Sequence, residues 1–397
     1  MNKYSFLLIA VFCFMMSCGS PDESSSSIGA KYELQIVDSV QVDLFASGLN
    51  IADVSDETGQ ILAFQTNPPI AYLLSPKAEI LKIMDRPAGD PKAVGDYLLS
   101  GEFYEDGIAL MGRTQVKTYD MDFNLRKSTG VYLNHSGMIW MGFNHLFEFE
   151  GDDHNKLLAY MGPETDVGAH MPEFYRKFKV ATVVDPYLVG KENLTPENLN
   201  KGVFQPIGEL NEDSRYLSSE RTFFFMKPLI DVKERSLYYA FRDDTTMFKV
   251  SLPDGKLLEK TRIPFDEFIV FEGYTMGLAA VAEQRQPQDR GGRIEKLYKV
   301  GDFELVVYHS GMKLSDVQAL GTSSPDFRDK VSKADPLKHL ILRNGVRMNQ
   351  ELSLPSKISH FDMADNDGFI WAHQDLKQLE EEPDLITFYK LKIVEVK

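Results

Sequence analysis

The stretch that decides the fold is Asp365-Asn-Asp-Gly-Phe-Ile-Trp-Ala-His373, near the end of the chain. Its first four residues favour a tight turn, because acidic and amide side chains bond the local backbone and Gly368 adopts conformations closed to other residues. The apolar run that follows lacks polar alternation, which is typical of a strand covered on both faces. The stretch therefore predicts a turn that leads directly into a fully buried strand.

The same unit recurs along the chain, and such recurrence indicates a repeat architecture. The units lie at Gly59–Phe64, Gly107–Gly112, Gly137–Gly142, Ser236–Phe241, Gly277–Ala282 and Gly368–His373. A second, alternating strand and a polar turn often follow, as in a four-stranded propeller blade. Two intervals between units are near twice the ~45 residues of one blade. The sequence therefore predicts an all-β propeller of six to eight blades, with seven favoured.

Both ends of the predicted domain have strand-like patterns, over residues 32–44 and 384–396. Pairing of the N-terminal strand with the C-terminal strand in the last blade would close the ring and remove exposed sheet edges. A large β-sandwich or two stacked β domains is the competing all-β architecture, and the repeats favour the propeller over it.

The first residues have the layout of a secretory signal, because Lys3 precedes an apolar run from Phe6 to Met16. This run is shorter than the roughly 20 apolar residues of a spanning helix. Ser17-Cys18 resembles the bacterial lipobox, in which the cysteine becomes lipidated and forms the mature N-terminus. We expect a signal peptide over residues 1–17, a lipid on Cys18 with a flexible tether over residues 18–30, and a propeller over residues 31–397. An ordinary cleaved signal with an incidental cysteine, or a buried N-terminal strand, is the alternative.

The residues after Cys18 bear on the destination of the lipidated protein. Gly19 stands where an aspartate retains many lipoproteins at the inner membrane, and Asp22 and Glu23 resemble the surface-export signal of Bacteroidota-type lipoproteins. This favours the cell envelope, at the outer membrane and on its external face. Cys18 would be the only thiol of the mature protein, so a disulfide inside the folded domain is excluded and stability must come from a packed core.

Composition limits the classes of partner. The formal net charge of −16 repels phosphate backbones and anionic head groups, which argues against nucleic acid as a partner and against direct contact with lipid beyond the anchor. A hydrophobic content of 43% with 11% aromatic residues indicates a globular core rather than disorder. The sequence leaves the oligomeric state open.

With the lipobox, the stretch Asp365–Trp371 resembles the blade motif of six- and seven-bladed bacterial propellers of the TolB-like and NHL-like kinds. The whole chain is similar to uncharacterised Bacteroidota-type β-propeller lipoproteins, some of which form domain-of-unknown-function families. The resemblance covers most of residues 30–397 and rests on organisation more than on a diagnostic string. It implies the ring fold and the envelope address, and it implies no agreed activity.

The strongest constellation for chemistry is formed by His360, Asp362 and His373. His360 and Asp362 would share one face of a strand, with His373 across the hairpin, and imidazole and carboxylate groups suit a divalent cation. The alternative is that Asp365 and Asp367 only build the turn while both histidines are edge residues. The sequence contains no Gly-x-Ser-x-Gly and no His-Glu-x-x-His motif. We therefore expect no cofactor, with a divalent cation at this cluster as the one exception considered.

Two stretches interrupt the repeats: residues 191–221 are predicted to form an irregular connection, and residues 313–337 a loop with one polar helix. Long loops of this kind are candidate rims of a binding face, and tolerated insertions are the alternative. The leading hypothesis is a non-catalytic, envelope-anchored propeller that binds a glycan, a peptide or an envelope protein. The alternative is a carboxylate- or metal-dependent hydrolase or lyase at the channel mouth, and a sensor subunit is a third candidate. Converging carboxylates or a metal cluster at the mouth would favour the enzyme, and a dry aromatic cleft would favour binding.

Overall fold

The computed structural model describes residues 31–44, 48–113, 115–130, 145–162, 165, 167–189, 202–224, 226–376 and 385–396. The predicted signal peptide, Cys18 and the tether lie outside the described residues and stay predictions. The described chain forms six four-stranded antiparallel sheets, and the fold is the predicted all-β propeller. Among the described helices, none combines the length and apolar character needed to cross a membrane.

The first strand along the chain, β1 (Lys31–Val42), belongs to the last blade. Blade 1 contains β2 (Leu49–Val54), β3 (Ile61–Gln65), β4 (Ile70–Leu74) and β5 (Ile80–Asp85). Blade 2 contains β6 (Leu98–Tyr104), β7 (Gly107–Gly112), β8 (Val116–Asp120) and β9 (Leu125–Ser128). Blade 3 contains β10 (Leu146–Glu150), β11 (Asn155–Ala159), β12 (Lys179–Val184) and β13 (Phe204–Glu209).

A two-stranded sheet outside the blades contains β14 (Arg221–Thr222) and β19 (Tyr274–Thr275). Blade 4 contains β15 (Pro228–Lys233), β16 (Ser236–Phe241), β17 (Thr246–Ser251) and β18 (Leu257–Arg262). Blade 5 contains β20 (Arg293–Val300), β21 (Phe303–His309), β22 (Lys338–Arg343) and β23 (Val346–Arg347). Blade 6 contains β24 (Ile358–Ala364), β25 (Ile370–Gln374), β26 (Ile386–Val396) and β1.

The ring closes as predicted, because the N-terminal strand is the outermost strand of the last blade. β1 pairs antiparallel with β26, from Lys31 opposite Val396 to Val42 opposite Ile386. The inner strands β2, β6, β10, β15, β20 and β24 contact one another in sequence, and β24 returns to β2. They surround a central channel.

The core consists of six apolar clusters, one between each pair of neighbouring blades. β3, the second strand of blade 1, shows why such strands are apolar on both faces. Ile61 and Ala63 pack toward blade 6, whereas Leu62 and Phe64 pack toward blade 2. The predicted buried strand after each turn is therefore the second strand of a blade. Gly368 has a φ of +79°, so the turn before β25 uses the left-handed conformation that favours glycine.

The ring has six blades, which lies within the predicted range and is one fewer than the favoured seven. The buried strand predicted at Gly277–Ala282 was wrong, because part of this segment lies in a helix between blades 4 and 5. Three of its residues are alanine, a strong helix former, and Leu278 is 78% exposed. The unit at Gly137–Gly142 lies outside the described residues.

The described helices are short connections between strands. They are α1 (Pro172–Lys177), α2 (Arg215–Ser218), α3 (Ala279–Glu283), α4 (Leu314–Ala319), α5 (Phe327–Ala334) and a 3₁₀ helix (Pro186–Leu188). Both α4 and α5 lie in the 313–337 stretch, where one polar helix was expected. The prediction of an irregular connection over 191–221 was wrong for residues 204–209, which form strand β13. Pro206 is tolerated within this strand because β13 lies at the edge of its sheet.

Long connections gather on one face of the ring, the face at which the inner strands begin. This insertion face carries residues 160–178, 210–227, 263–292 and 310–337, all from blades 3 to 5. We call these four segments the insertion cap. The opposite face, where the inner strands end, carries the short turns between first and second strands and is called the turn face. A connection on the turn face, 185–203, is described only in part.

The insertion cap is one packed body. The Gly277 amide donates to the His170 carbonyl at 3.1 Å, and Arg290 and Met312 exchange two backbone bonds of 2.8 Å. Phe223, which is 1% exposed, packs edge-on against Tyr175 and Tyr216. The Phe223 ring is therefore part of the core.

Candidate functional site: a channel with two unlike ends

Acidic side chains of the inner strands join four of the six pairs of neighbouring blades. In each case a carboxyl oxygen accepts the backbone amide of the neighbouring inner strand, and the low dielectric of the buried channel strengthens these bonds. The acceptor and donor pairs are Asp53 with Phe103 (2.8 Å), Glu102 with Glu148 (3.0 Å), Asp231 with Lys299, and Asp362 with Ile51 (3.1 Å). These carboxyl groups therefore link blades 1 and 2, 2 and 3, 4 and 5, and 6 and 1 from inside the channel.

The channel opens on the turn face into a cavity of about 430 Å³. Its lining comes from all six blades and includes no lysine or arginine among the described residues. The acidic residues of this lining are Asp53, Glu102, Glu148, Glu150, Asp231, Glu234 and Asp365. We call this cavity the acidic mouth. The carboxyl groups of this lining that are ionised face no lysine or arginine among the described lining residues, and the low-dielectric walls focus their negative potential.

The carboxyl groups deepest in the acidic mouth resist ionisation. Burial raises the pKa of Asp53 to about 7, and repulsion from Asp56 and Glu148 adds to the effect. Burial also raises the pKa of Glu102 well above its usual range, with repulsion from Asp53 contributing. The pKa of Asp231 rises to about 7 through burial, although the amides of Lys299 and Val232 oppose the shift. A cation in the cavity would favour the ionised form of all three.

A larger cavity, about 800 Å³, lies between blades 4 and 5 and outside the channel. Its walls balance in charge, with four basic and four acidic side chains. Lys299 and Glu304 form an ion pair of 2.7 Å there, and Lys249 and Lys299 lie over the Tyr238 ring. Because these charges neutralise one another, this cavity offers less selective recognition than the acidic mouth.

The other half of the channel contains the buried amine of Lys296 and is called the basic half. Lys296 lines a small cavity there together with Asp362 and with His145, which also lines the acidic mouth. Burial lowers the pKa of His145 to about 3 and also lowers the pKa of Lys296. Lys227, just before β15, has its pKa lowered to about 8 by burial and by the nearby Lys296. The channel is therefore divided by charge along its length.

The structure brings the three candidate ligands together in the basic half of the channel. His373 Nε2 lies 3.1 Å from Asp362 Oδ2, and His360 Nε2 lies 3.5 Å from Asp362 Oδ1. The two imidazole rings stack with centroids 4.3 Å apart. Burial opposes ionisation of Asp362, but both histidines and the Ile51 amide outweigh it, so its pKa lies below the usual range. Burial lowers the pKa of His360 to about 4.

Asp365 and Asp367 are not part of this cluster, because they follow β24 at the opposite end of the channel. Asp365 builds the turn, since its carboxylate accepts the Phe369 amide at 2.8 Å and the Trp371 indole N–H at 2.9 Å. Trp371 is 1% exposed and belongs to the core between blades 6 and 1. The turn-forming role expected for Asp365 is therefore confirmed.

The acidic mouth was missed by the sequence reasoning. The sequence does contain a pattern that indicates this cavity. In four blades, the first strand carries an acidic residue followed directly by a large apolar residue. These pairs are Asp53-Val54, Glu102-Phe103, Glu148-Phe149 and Asp231-Val232. An isolated acid inside an apolar strand is unusual, because its burial is unfavourable unless it is paired or hydrogen-bonded.

Fold and channel together define a six-bladed β-propeller with a charge-divided channel and a one-sided cap. No protein-family model matches the chain, and no curated protein sequence matches it. The chain is similar to a crystal structure of a DUF4221 family member from Bacteroides vulgatus, with a TM-score of 0.62, 10% identity, and coverage of 92% of this chain and 99% of that one.

The chain is also similar to a protein from Bacteroides fragilis whose structure was described under the name of an exported protein. That match has a TM-score of 0.53 at 11% identity and covers 94% of this chain and 98% of that one. Identities this low show a shared fold. At that level the predicted resemblance to Bacteroidota propellers is confirmed.

Proposed function

We propose that the protein is a non-catalytic binding propeller of the cell envelope, which takes a positively charged group of a peptide or envelope protein into the acidic mouth. The observation that carries this proposal is the lining of the cavity, with seven carboxyl groups and no lysine or arginine among its described residues. A protonated amine or guanidinium group complements that lining in charge, and a cavity of about 430 Å³ accommodates one long side chain with part of its backbone.

The raised pKa values of Asp53, Glu102 and Asp231 couple cation binding to the loss of protons from these groups. Asp53 and Glu102 lie close to other carboxyl groups, so an incoming cation offsets their repulsion and favours their ionised form. The carboxylates are also fixed in place, since Asp53 and Asp231 each accept two backbone amides. A preformed site of this kind loses little conformational entropy on binding.

The envelope address in this proposal rests on the first residues of the chain. Lys3, the apolar run and Ser17-Cys18 support export and lipid attachment, and Asp22 and Glu23 support the outer face of the outer membrane. The Bacteroides fragilis neighbour described as exported supports the same compartment. The mouth would then meet partners outside the cytoplasm.

The proposal is tested by calorimetric titration with a tripeptide that has blocked ends and one central lysine. The same tripeptide with acetyl-lysine is the control ligand. We expect saturable binding of the lysine form alone, because acetylation removes the charge. Glu102→Gln should weaken it by about tenfold or more, which corresponds to about 1.4 kcal/mol. Glu259→Gln, in the balanced cavity between blades 4 and 5, is the control and should leave binding unchanged. Equal binding of both peptides would refute the proposal.

A hydrolase or lyase is the second candidate, and the convergence of carboxyl groups in the acidic mouth is the observation that favours it. Asp53, with a pKa near 7, has the protonation behaviour of a general acid. Both of its carboxylate oxygens accept backbone amides, however, and a general acid needs one oxygen directed at the substrate. Mass spectrometry of the ligand after prolonged incubation separates the two candidates, because only the enzyme yields a product.

A further inference from the structure

We propose that His360, Asp362 and His373 form a binding site for one first-row transition-metal dication, in the half of the channel away from the acidic mouth. The three side chains offer two imidazole nitrogens and one carboxylate oxygen, and these atoms all lie within 4.8 Å of one another. This site is independent of the proposed ligand at the acidic mouth.

The distances fit a metal after small side-chain rotations. Ligand bonds of roughly 2.0 to 2.2 Å in a tetrahedral site place neighbouring ligand atoms about 3.4 Å apart. The two histidine-to-carboxylate distances are 3.1 Å and 3.5 Å. The stacked rings must tilt toward each other for both lone pairs to converge, and His360 has the freedom to do so because its side chain is 44% exposed.

The backbone places the ligands rigidly. His360 and His373 are direct partners in the register of β24 and β25, so their side chains emerge side by side. The register shifts between Phe361 and Met363, which leaves Asp362 as the extra residue of a β-bulge. Bulges redirect side chains, and they are over-represented beside functional sites. The bulge turns the Asp362 carboxylate into the channel beside the two imidazoles.

Partners outside the cluster orient the three ligands. The Ile51 amide donates to Asp362 Oδ2 at 3.1 Å, and Ser359 Oγ lies 2.9 Å from His360 Nδ1. A bond at Nδ1 directs Nε2 of the same ring toward the carboxylate, which is the arrangement that outer partners impose on metal-binding histidines. Tyr298 fixes the backbone of the bulge by donating to the Asp362 carbonyl at 2.9 Å.

A second observation points to a ligand at this place. His373 Nε2 is buried, and it makes no hydrogen bond although Asp362 Oδ2 is only 3.1 Å away. Buried polar atoms that make no hydrogen bond are rare in folded proteins, and a bound ion is one of their recognised explanations. A metal between Nε2 and the carboxylate satisfies both atoms at once.

The donor set selects the class of metal. Two imidazoles and one carboxylate suit zinc, cobalt or iron(II), with the remaining coordination positions open to water or to a ligand. Calcium takes six to eight oxygen ligands and magnesium favours octahedral oxygen. The structure therefore assigns this site to a transition metal rather than to calcium or magnesium.

The test is a titration of full-length protein in detergent with Co²⁺, after removal of metal by a chelator and dialysis. We expect visible absorption of coordinated cobalt to saturate at one equivalent per chain and to disappear on addition of Zn²⁺. His373→Gln and Asp362→Asn should each weaken binding by more than the roughly 10- to 100-fold that loss of an outer partner causes. Asparagine at 362 can still accept the Ile51 amide, and circular dichroism verifies that each variant is folded.

His154→Gln is the matched control. His154 Nε2 contacts Asp185 Oδ1 at 2.9 Å, which is the same type of contact without a second imidazole. The control should bind cobalt like the unaltered protein. Absence of a saturable signal, unchanged affinity in a folded His373→Gln variant, or loss of binding in His154→Gln would each overturn the proposal. None of these results depends on the lysine peptide, so failure here and failure at the acidic mouth are distinguishable.

Discussion

Replacement of Asp231 by asparagine tests whether the acidic mouth keeps its carboxyl groups from ionising. Asp231 is 7% exposed on β15, and burial raises its pKa from 3.8 to about 7. In the unfolded chain the group titrates near 3.8. A carboxyl whose pKa is raised by folding contributes most to stability below the unfolded pKa, where both states are protonated. That contribution is lost progressively between about pH 3.8 and 7, where the folded state retains a proton that the unfolded state has released.

The magnitude follows from the two pKa values. At pH 5 the folded Asp231 is protonated and the unfolded one is ionised, whereas at pH 8 both are ionised. With about 1.36 kcal/mol per pKa unit, the stabilisation that Asp231 contributes falls by about 2 to 3 kcal/mol between these pH values. Asparagine does not titrate, so the variant lacks this loss.

Urea unfolding of the unaltered protein and of Asp231→Asn at pH 5, 6, 7 and 8 measures the effect. Asparagine keeps one acceptor for a backbone amide and loses the other, which lowers stability equally at every pH. The stability of the variant relative to the unaltered protein should therefore rise by about 2 to 3 kcal/mol from pH 5 to pH 8. Asp302→Asn, whose side chain is 80% exposed, is the control for loss of one charge and gives the baseline against which the pH profile of Asp231→Asn is compared. If the unfolding free energies of Asp231→Asn and of the unaltered protein changed in parallel with pH, the reasoning would be refuted.

Three further changes test other parts of the structure. Gly368→Ala should lower the free energy of unfolding by about 1 to 2 kcal/mol, because φ at this position is +79°. The control Gly89→Ala, where an added Cβ meets no other atom, should change it by less than about 0.5 kcal/mol. Equal effects of the two substitutions in urea unfolding would contradict the left-handed turn at Gly368. Trp371→Ala should cost about 3 to 5 kcal/mol by the same assay, since the indole fills the core between blades 6 and 1. Cys18→Ser should abolish labelling by radioactive palmitate and release the protein from membranes on fractionation; continued labelling would exclude Cys18 as the lipid site.

The blades could be predicted from sequence because their second strands carry a local signal. Ile61–Phe64 and Ser236–Phe241 are apolar on both faces, and each face packs against a different blade. The same signal failed at Gly277–Ala282, because a short apolar run does not distinguish a buried strand from a short helix. Periodicity alone therefore identified the architecture and overestimated the number of blades.

The two candidate sites differ in how far apart in the sequence their residues lie. His360 and His373 are close in sequence and lie on paired strands, so a hairpin prediction was enough to bring them together. Asp53, Glu102 and Asp231 come from three blades, and only closure of the ring places them in one cavity. Their burial and their amide partners on the next blade are properties of the closed ring, which no local pattern contains.

The central claim is that buried, mutually repelling carboxyl groups form a site for a cation. It is tested most directly by calorimetric binding of the lysine tripeptide at pH 7 in two buffers that differ in their enthalpy of ionisation. Because Asp53 and Asp231 have pKa values near 7, the incoming charge should displace protons, and the observed enthalpy should differ between the buffers in proportion to the protons released. Identical enthalpies in both buffers would contradict the account.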